Sequence, residues 1–376
     1  MGRRVNLLVT GTYRSGTTFA ERLLDNLTDA FCAPQPFPYL YLSAKRRYLA
    51  QIGVVGSRYP IGTGFHDPLH QPDELAAFLG SEVFSRRSIG ETFESMRGYS
   101  GAQTPELADI LARIPEGTLV EVVRGMHSLL AERLRRSATL LASKEFLLEE
   151  FIPTFIDAGI GVLMIVRDPR AVVASTLGPD AESWSGRPRP LLFTIRLWRK
   201  SVAYALRFTQ SVAIARLEDL SADPVGALTR SLGSIGLEIA GRMQEPLRGA
   251  RGQTWEPNTS FPGGAGSAGP RYGLSDRQLA YVEVLTGPEM LAFGYAPSGA
   301  ASSVDDALDG LRPEDDPGRE HPVFEPDFSV APAQLTLERQ RLVLLRTRDA
   351  VADESSWFVL PEIRERLASI VAHEGR

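Results

Sequence analysis

Arg14, Ser15, Gly16, Thr17 and Thr18 follow one another in the stretch Gly11-Thr12-Tyr13-Arg14-Ser15-Gly16-Thr17-Thr18. Hydroxyls, a guanidinium and glycines packed this closely suit an anion. Glycine lets the backbone turn tightly, and successive N–H groups can then converge on one oxyanion. A helix starting at the end of such a loop adds the partial positive charge of its N-terminus. The flanking elements are legible. Residues 5–9 are a short apolar run, the length of one buried strand. Phe19, Leu23 and Leu27 recur at four-residue intervals, one face of a helix. Strand, glycine-bounded loop and helix together form the context of a phosphate-binding loop. An ordinary strand–turn–helix with an idle polar loop has the same pattern.

A nucleotide triphosphatase would place lysine directly after the second glycine. Here Thr17 stands there, and the cation is Arg14, inside the loop. That suits a phosphate held by backbone and hydroxyl groups, with a nearby charge that Arg14 neutralises. A second cation follows an unbroken apolar run at 162–166, the signature of a parallel strand buried on both faces. Arg167 closes that run, and Ser175 lies eight residues on, in the next helix. Open α/β sheets place ligands at the carboxyl ends of their strands, where Arg167 would sit.

Arg14-Ser15-Gly16-Thr17-Thr18-Phe19 resembles the 5′-phosphosulfate loop, approximately [KR]-S-G-T-T-[WFL], of sulfotransferases that use 3′-phosphoadenosine 5′-phosphosulfate (PAPS). Arg167 and Ser175 have the spacing of that family's 3′-phosphate pair. Ser143-Lys144 at a strand end looks like its second catalytic lysine. Arg216-Leu217-Glu218-Asp219-Leu220 is similar to its R-Y-E-D-L segment, with Leu217 in place of the tyrosine. Asn258-Thr259-Ser260-Phe261, followed by a Gly-rich loop and Arg271, resembles the bacterial branch, whose loop closes over the 3′-phosphate. The resemblance spans residues 5 to about 296 in the right order.

It implies a three-layer, P-loop-like sulfotransferase fold: α/β, with a central mostly parallel sheet. It also implies an enzyme that moves a sulfuryl group from PAPS, as co-substrate, to a hydroxyl or amine. Arg14 and Lys144 would be the catalytic cations, with Arg14, Ser15, Gly16, Thr17, Thr18, Phe19, Arg167, Ser175 and Arg271 on the nucleotide. Phe19 would stack on adenine, or else be a core residue. No metal is expected, because no triphosphate has to be bridged. Two other readings share parts of the pattern. One is a P-loop kinase or triphosphatase with Asp168 as its acid; the other is a nucleotide-binding scaffold without catalysis.

The base is the gap in the resemblance. Bacterial relatives carry a glutamate in a G-E-P-F-P stretch; here Gln35 stands in Ala33-Pro34-Gln35-Pro36-Phe37-Pro38 and cannot take a proton. Phe146 occupies the other family position, and Glu145 should point away from Lys144 on a strand. His66 is the first choice for the base and His70 the second, both in a Gly/Pro-rich loop; His127 sits on a helix.

The remaining sequence bounds the molecule. The chain has 376 residues, 43% hydrophobic and 23% charged, with net charge −5 and one cysteine, Cys32. That is enough for a sizeable core, argues against broad binding to nucleic acid, and excludes an internal disulfide. No run approaches membrane-spanning length, so a cytoplasmic protein is expected. The domains read as 1–298 for the sulfotransferase-like unit, 299–330 for an acidic, Pro- and Gly-containing linker, and 331–376 for a C-terminal helical tail and candidate homodimer contact. The phosphate motifs all precede residue 300, so the tail is expected to be dispensable for nucleotide binding. The acceptor site is expected from residues 34–105 and 178–190. Pro, Gly and aromatic residues there suggest a small-molecule, carbohydrate or lipid acceptor.

Overall fold

A computed structural model describes residues 4–54, 72–96, 104–135, 137–177, 188–249, 252–255, 273–300, 303–347 and 363–374. In chain order the elements are β1 (Val5–Thr10), α1 (Thr17–Asp25), β2 (Ala30–Pro34), α2 (Pro38–Gln51), α3 (Pro72–Ser81), α4 (Arg86–Ser95), α5 (Thr104–Ile110), α6 (Leu119–Leu134), β3 (Leu140–Lys144), α7 (Ile152–Asp157), β4 (Gly161–Val166) and α8 (Pro169–Leu177). Then come α9 (Leu191–Arg207), β5 (Ala213–Arg216), α10 (Leu217–Ala222), α11 (Pro224–Gly233), α12 (Asp276–Ala292), α13 (Val304–Gly310), α14 (Pro332–Thr347) and α15 (Ile363–Glu374). The five strands form one parallel sheet in the order β2-β3-β1-β4-β5. The α/β expectation therefore holds.

Strand alternation splits the core into two layers. Leu7, Val9, Ala142, Leu163 and Ile165 face α1 and α11; Leu8, Leu141, Val162 and Met164 face α2, α6 and α7. The chain leaves β1 towards β2 and leaves β4 towards β5, in opposite directions. The crevice above the ends of β1 and β4 is thus the switch point, where sheets of this kind bind ligands. Both candidate anion motifs open there.

Two segments depart from the sequence reading. Residues 85–105 are polar and turn-rich in sequence, yet α4 lies within them. Ser85 caps it by accepting from the Ser88 N–H, and Ile89 and Phe93, four apart, are buried in the core. Within residues 299–330, expected as a linker, the described residues carry α13 and a series of pinned turns. Ser329 Oγ donates to Asp316 Oδ2 at 2.5 Å, and Asp316 Oδ2 also accepts from the Leu191 N–H at 3.1 Å. The apolar faces of the tail helices pack on this same chain: Leu344, Leu345, Ile363 and Leu367 join the main core. Among the described residues no helix is long and apolar enough to cross a membrane.

Candidate functional site

Backbone conformation shapes the loop after β1. Gly16 caps α1 at φ 97° with no side-chain hydrogen bond, so the first-turn N–H groups of α1 are not consumed by a capping side chain. A Cβ on Gly16 would lie 2.5 Å from Leu217 Cδ1, and one on Gly11 would lie 2.5 Å from the Ile165 carbonyl oxygen. Arg14 also has positive φ, at 62°. Ser15 is buried and donates its hydroxyl to the Thr12 carbonyl at 2.7 Å, which closes the loop from inside. Thr17 is buried and Thr18 exposed at the start of the helix. Leu217, where the resembling family has tyrosine, is the apolar floor under Gly16.

The two predicted anion motifs meet. Arg14 Nε donates to Ser175 Oγ at 2.6 Å, and Arg167 Nη1 donates to the Arg14 carbonyl at 2.9 Å. Arg14, Arg167 and Ser175 are therefore one cluster astride β1 and β4. Burial pushes the Arg167 pKa down, Glu218 opposes the shift and the Arg14 charge adds to it. The surroundings hold Arg167 in place. Trp198 Nε1 donates to its carbonyl at 2.8 Å. Glu218 accepts from the Asp168 N–H at 3.1 Å and from the Tyr295 hydroxyl at 2.9 Å. Asp168 is engaged by Arg170 at 2.6 Å, and Arg170 also reaches Glu283 at 2.7 Å. An acid so paired is not presented to a metal-bound triphosphate, which weakens the kinase reading.

Lys144 ends β3, level with Val9 of β1 and Pro34 of β2. Its Nζ donates to Gln35 Oε1 at 2.8 Å. Burial lowers its pKa, against the pull of Glu21 and Glu145. Glu21, wholly buried and ion-paired with Arg22, is itself pushed up to about 7 by burial. Gln35, at the position of the missing glutamate, thus tethers the lysine. Arg14 and Lys144, the two expected catalytic cations, send their hydrogen bonds to opposite sides of the loop.

Glu145 points to the other face, as alternation requires, but still lies at the carboxyl edge of the sheet. One of its oxygens accepts from the Phe37 N–H at the head of α2, and Oε1 has no hydrogen-bond partner in the protein. Burial raises its pKa well above the usual carboxylate range, opposed by Lys144. The alternation argument was right about direction. It missed that the α2 N-terminus comes back to the same edge.

His127 is buried and bonded on both ring nitrogens, to Asn6 Oδ1 at 3.0 Å and Ser143 Oγ at 2.8 Å. Burial depresses its pKa to about 3, so it is a neutral structural residue. His66, His70 and Arg271, with the segment 258–261, lie outside the described residues. Phe19 is buried in the α1 layer and stacks on Trp255, with centroids 5.3 Å apart and planes at 24°. Trp255 went unread because it shares no local motif with Phe19.

No family model matches this chain, and no curated protein matches it. Among solved structures it is similar to the sulfotransferase domain from the curacin biosynthetic pathway, at 15% identity and TM-score 0.37, covering 89% of this chain and 99% of that one. It is also similar to the sulfotransferase domain from the Synechococcus PCC 7002 olefin synthase, at 15% identity and TM-score 0.31, covering 63% of this chain and 75% of that one.

Proposed function

We propose that this chain is a PAPS-dependent sulfotransferase. The observation that carries the reading is the Arg14–Ser175–Arg167 cluster at the sheet's switch point, beside an uncapped helix N-terminus. Glycine at 11 and 16 lets the loop close against Ile165 and Leu217, where a Cβ would collide, and this close packing supports the loop shape that the reading needs. PAPS supplies an activated sulfuryl group, which passes to the acceptor oxygen as the bond from sulfur to the 5′-phosphate oxygen breaks and that oxygen keeps the electron pair. The loop amides and Thr17 and Thr18 bind and orient the 5′-phosphate. Arg167 and Ser175 take the 3′-phosphate. Arg14, released from Ser175, and Lys144 offset the charge that grows on the leaving oxygen, the usual largest contribution in such transfers. Phe19 and Trp255 flank the adenine side. Glu145 takes the acceptor proton; His66 is the alternative base from the sequence. The acceptor is a small-molecule, carbohydrate or lipid hydroxyl or amine.

Calorimetry tests the reading. The chain should bind 3′-phosphoadenosine 5′-phosphate without Mg²⁺ and should not bind ATP with it. Arg167→Ala should weaken the former by roughly 1.5–3 kcal/mol, the loss of a charge-assisted hydrogen bond. Arg14→Ala should abolish turnover while leaving most of that affinity. Unchanged affinity in Arg167→Ala would remove the second phosphate site, and with it the reading.

A further inference from the structure

Glu145 has company on its face of the sheet. Leu141, Ser143 and Glu145 alternate to one side along β3 and the residue after it, towards α2 and α6. Phe37, whose N–H meets the Glu145 carboxylate, caps α2, and Tyr41 lies one helical turn further on. Tyr41 Oη therefore comes down beside both Ser143 and Glu145. Tyr41 Oη and Glu145 Oε1 are both buried, and neither has closed a hydrogen bond in the protein. Two such atoms side by side each carry a cost until they are joined.

The groups behind Tyr41 have fixed polarity. His127 is neutral, as its burial requires. Asn6 Oδ1 can only accept, so the imidazole proton sits on Nδ1, 3.0 Å away. Nε2 is then an acceptor, and Ser143 Oγ donates to it at 2.8 Å. With its proton committed, Ser143 can only accept from Tyr41. The tyrosine hydroxyl is left with lone pairs for Glu145 Oε1. Asn6, His127, Ser143 and Tyr41 thus make a chain one link short of the carboxyl group, and a proton on Oε1 supplies that link. The charges around it are otherwise engaged. Lys144 points to the opposite face and donates to Gln35, Lys45 and Lys200 pair with Glu150, and Glu149 lies beside Lys200.

We propose that Tyr41 is a positioning residue for Glu145: its hydroxyl, aligned by Asn6, His127 and Ser143, accepts the hydrogen bond of the proton that Glu145 takes from the acceptor. This rests on the reading of Glu145 as the base. As the acceptor oxygen bonds to sulfur, its proton moves to Glu145 Oε1 and the 5′-phosphate oxygen leaves with its electron pair. Tyr41 then holds the new carboxylic O–H and keeps its own proton towards Ser143.

The test needs no acceptor. The carboxylic C=O band of Glu145, taken as the infrared difference between the full chain and its Glu145→Gln variant, is titrated with pH. The same difference is then taken in a Tyr41→Phe background. Phenylalanine lacks the lone pairs that favour the protonated carboxyl, so the midpoint should fall by about one pH unit, the tenfold change in acidity that one neutral hydrogen bond is worth. Affinity for 3′-phosphoadenosine 5′-phosphate should stay near wild type. An unmoved midpoint overturns the role of Tyr41. A raised midpoint means that Tyr41 donates to the ionised carboxylate, and overturns the direction of the chain. Nitrogen NMR of the histidine-labelled wild type is a second check that needs no tyrosine variant: His127 should carry its proton on Nδ1, and a proton on Nε2 overturns the chain. Full turnover in Glu145→Gln would bring down the base reading, and a wild type that does not bind 3′-phosphoadenosine 5′-phosphate would bring down the sulfotransferase reading; each is a separate result from the titration.

Discussion

Glu145 shows how one side chain can be hidden from a sequence and visible in a fold. In sequence it is the neighbour of Lys144 on the wrong face of a strand. In space the head of α2 returns beside it, gives one N–H to the carboxylate and leaves Oε1 unpartnered. A base must be deprotonated to act, so the rate should fall as pH drops through the raised carboxyl pKa. Glu145→Gln should lose turnover by about a hundredfold or more, the usual worth of a general base, and keep nucleotide affinity. Were His66→Ala the variant that lost turnover instead, the loop histidine would be the base. The chain's three lysines make a related point. Lys45, Lys144 and Lys200 are all buried, and Lys45 and Lys200 both pair with Glu150. In a chain that otherwise uses arginine, lysine marks enclosed positions that need a compact charge.

His127 belongs to the same scale but acts on stability. Its folded pKa is about 3 against an ordinary 6.5, so the folded state prefers it neutral. The unfolded chain binds the extra proton between those values, and stability from this residue is lost as pH falls below about 6.5. Glu21, raised to about 7, works in the opposite direction, because the folded state holds its proton longer. The contribution of His127 is therefore read as a difference. The stability advantage of wild type over His127→Gln should shrink by up to about 1.4 kcal/mol per pH unit between pH 6 and 4. Denaturant melts at stepped pH measure it, and a constant difference would mean that His127 is charged in the fold.

Among the elements, β1 with its loop and α1 was legible because three local signals coincide: an apolar run, paired glycines and a four-residue apolar interval. The strand ending at Val166 was legible for the same reason, an unbroken apolar run closed by a charge. What escaped was long-range. Leu217 looked like a lost tyrosine, yet it is the floor under Gly16. The helix α4 was hidden because only Ile89 and Phe93 mark its buried face, among many polar residues. The packing of Gly16 on Leu217 gives a test. Gly16→Ala should destabilise the fold by roughly 1–3 kcal/mol, from positive φ and the collision together. Adding Leu217→Ala should relieve the collision and leave the φ strain, so the double variant should lose less than the two single losses summed. Strict additivity in thermal melts would mean the two positions do not touch.

At the scale of the whole molecule, the segment after residue 300 is part of the body. Glu338 on α14 pairs with Arg196 at 2.8 Å and Arg199 at 2.7 Å on α9, and all three are buried. Burial pushes Glu338 up, but Arg199 and Arg196 outweigh it and hold its pKa well below the usual range. Leu308, Leu311, Leu335 and Leu342 share one core with Val173, Ile195 and Leu285. Amphipathic stripes announced that these helices must dock, but not on what. The expectation that the tail is dispensable for nucleotide binding is therefore joined by one about stability. Glu338→Ala leaves two arginines buried without their shared acid and should cost about 3–5 kcal/mol. Calorimetry should show it as a lower Tm for a single transition of the whole chain; a separate early transition would mean the tail unfolds alone.

The strand order carries a consequence for how the chain is made. Val5 pairs with Leu140, and Leu7 with Gly161, so β1, made before the other four strands of the sheet, sits between two neighbours that arrive late. Until β3 and β4 exist, the loop after β1 has neither the Ile165 carbonyl beneath Gly11 nor Arg167 beside Arg14. A nascent chain therefore carries the phosphate motif long before it can bind a phosphate. Contacts this distant in sequence also slow folding, since the intervening chain must be ordered before they form. Any anion that binds at this loop would meet only the finished sheet, and on the proposed reading a cell rich in the nucleotide would favour the folded state by mass action alone.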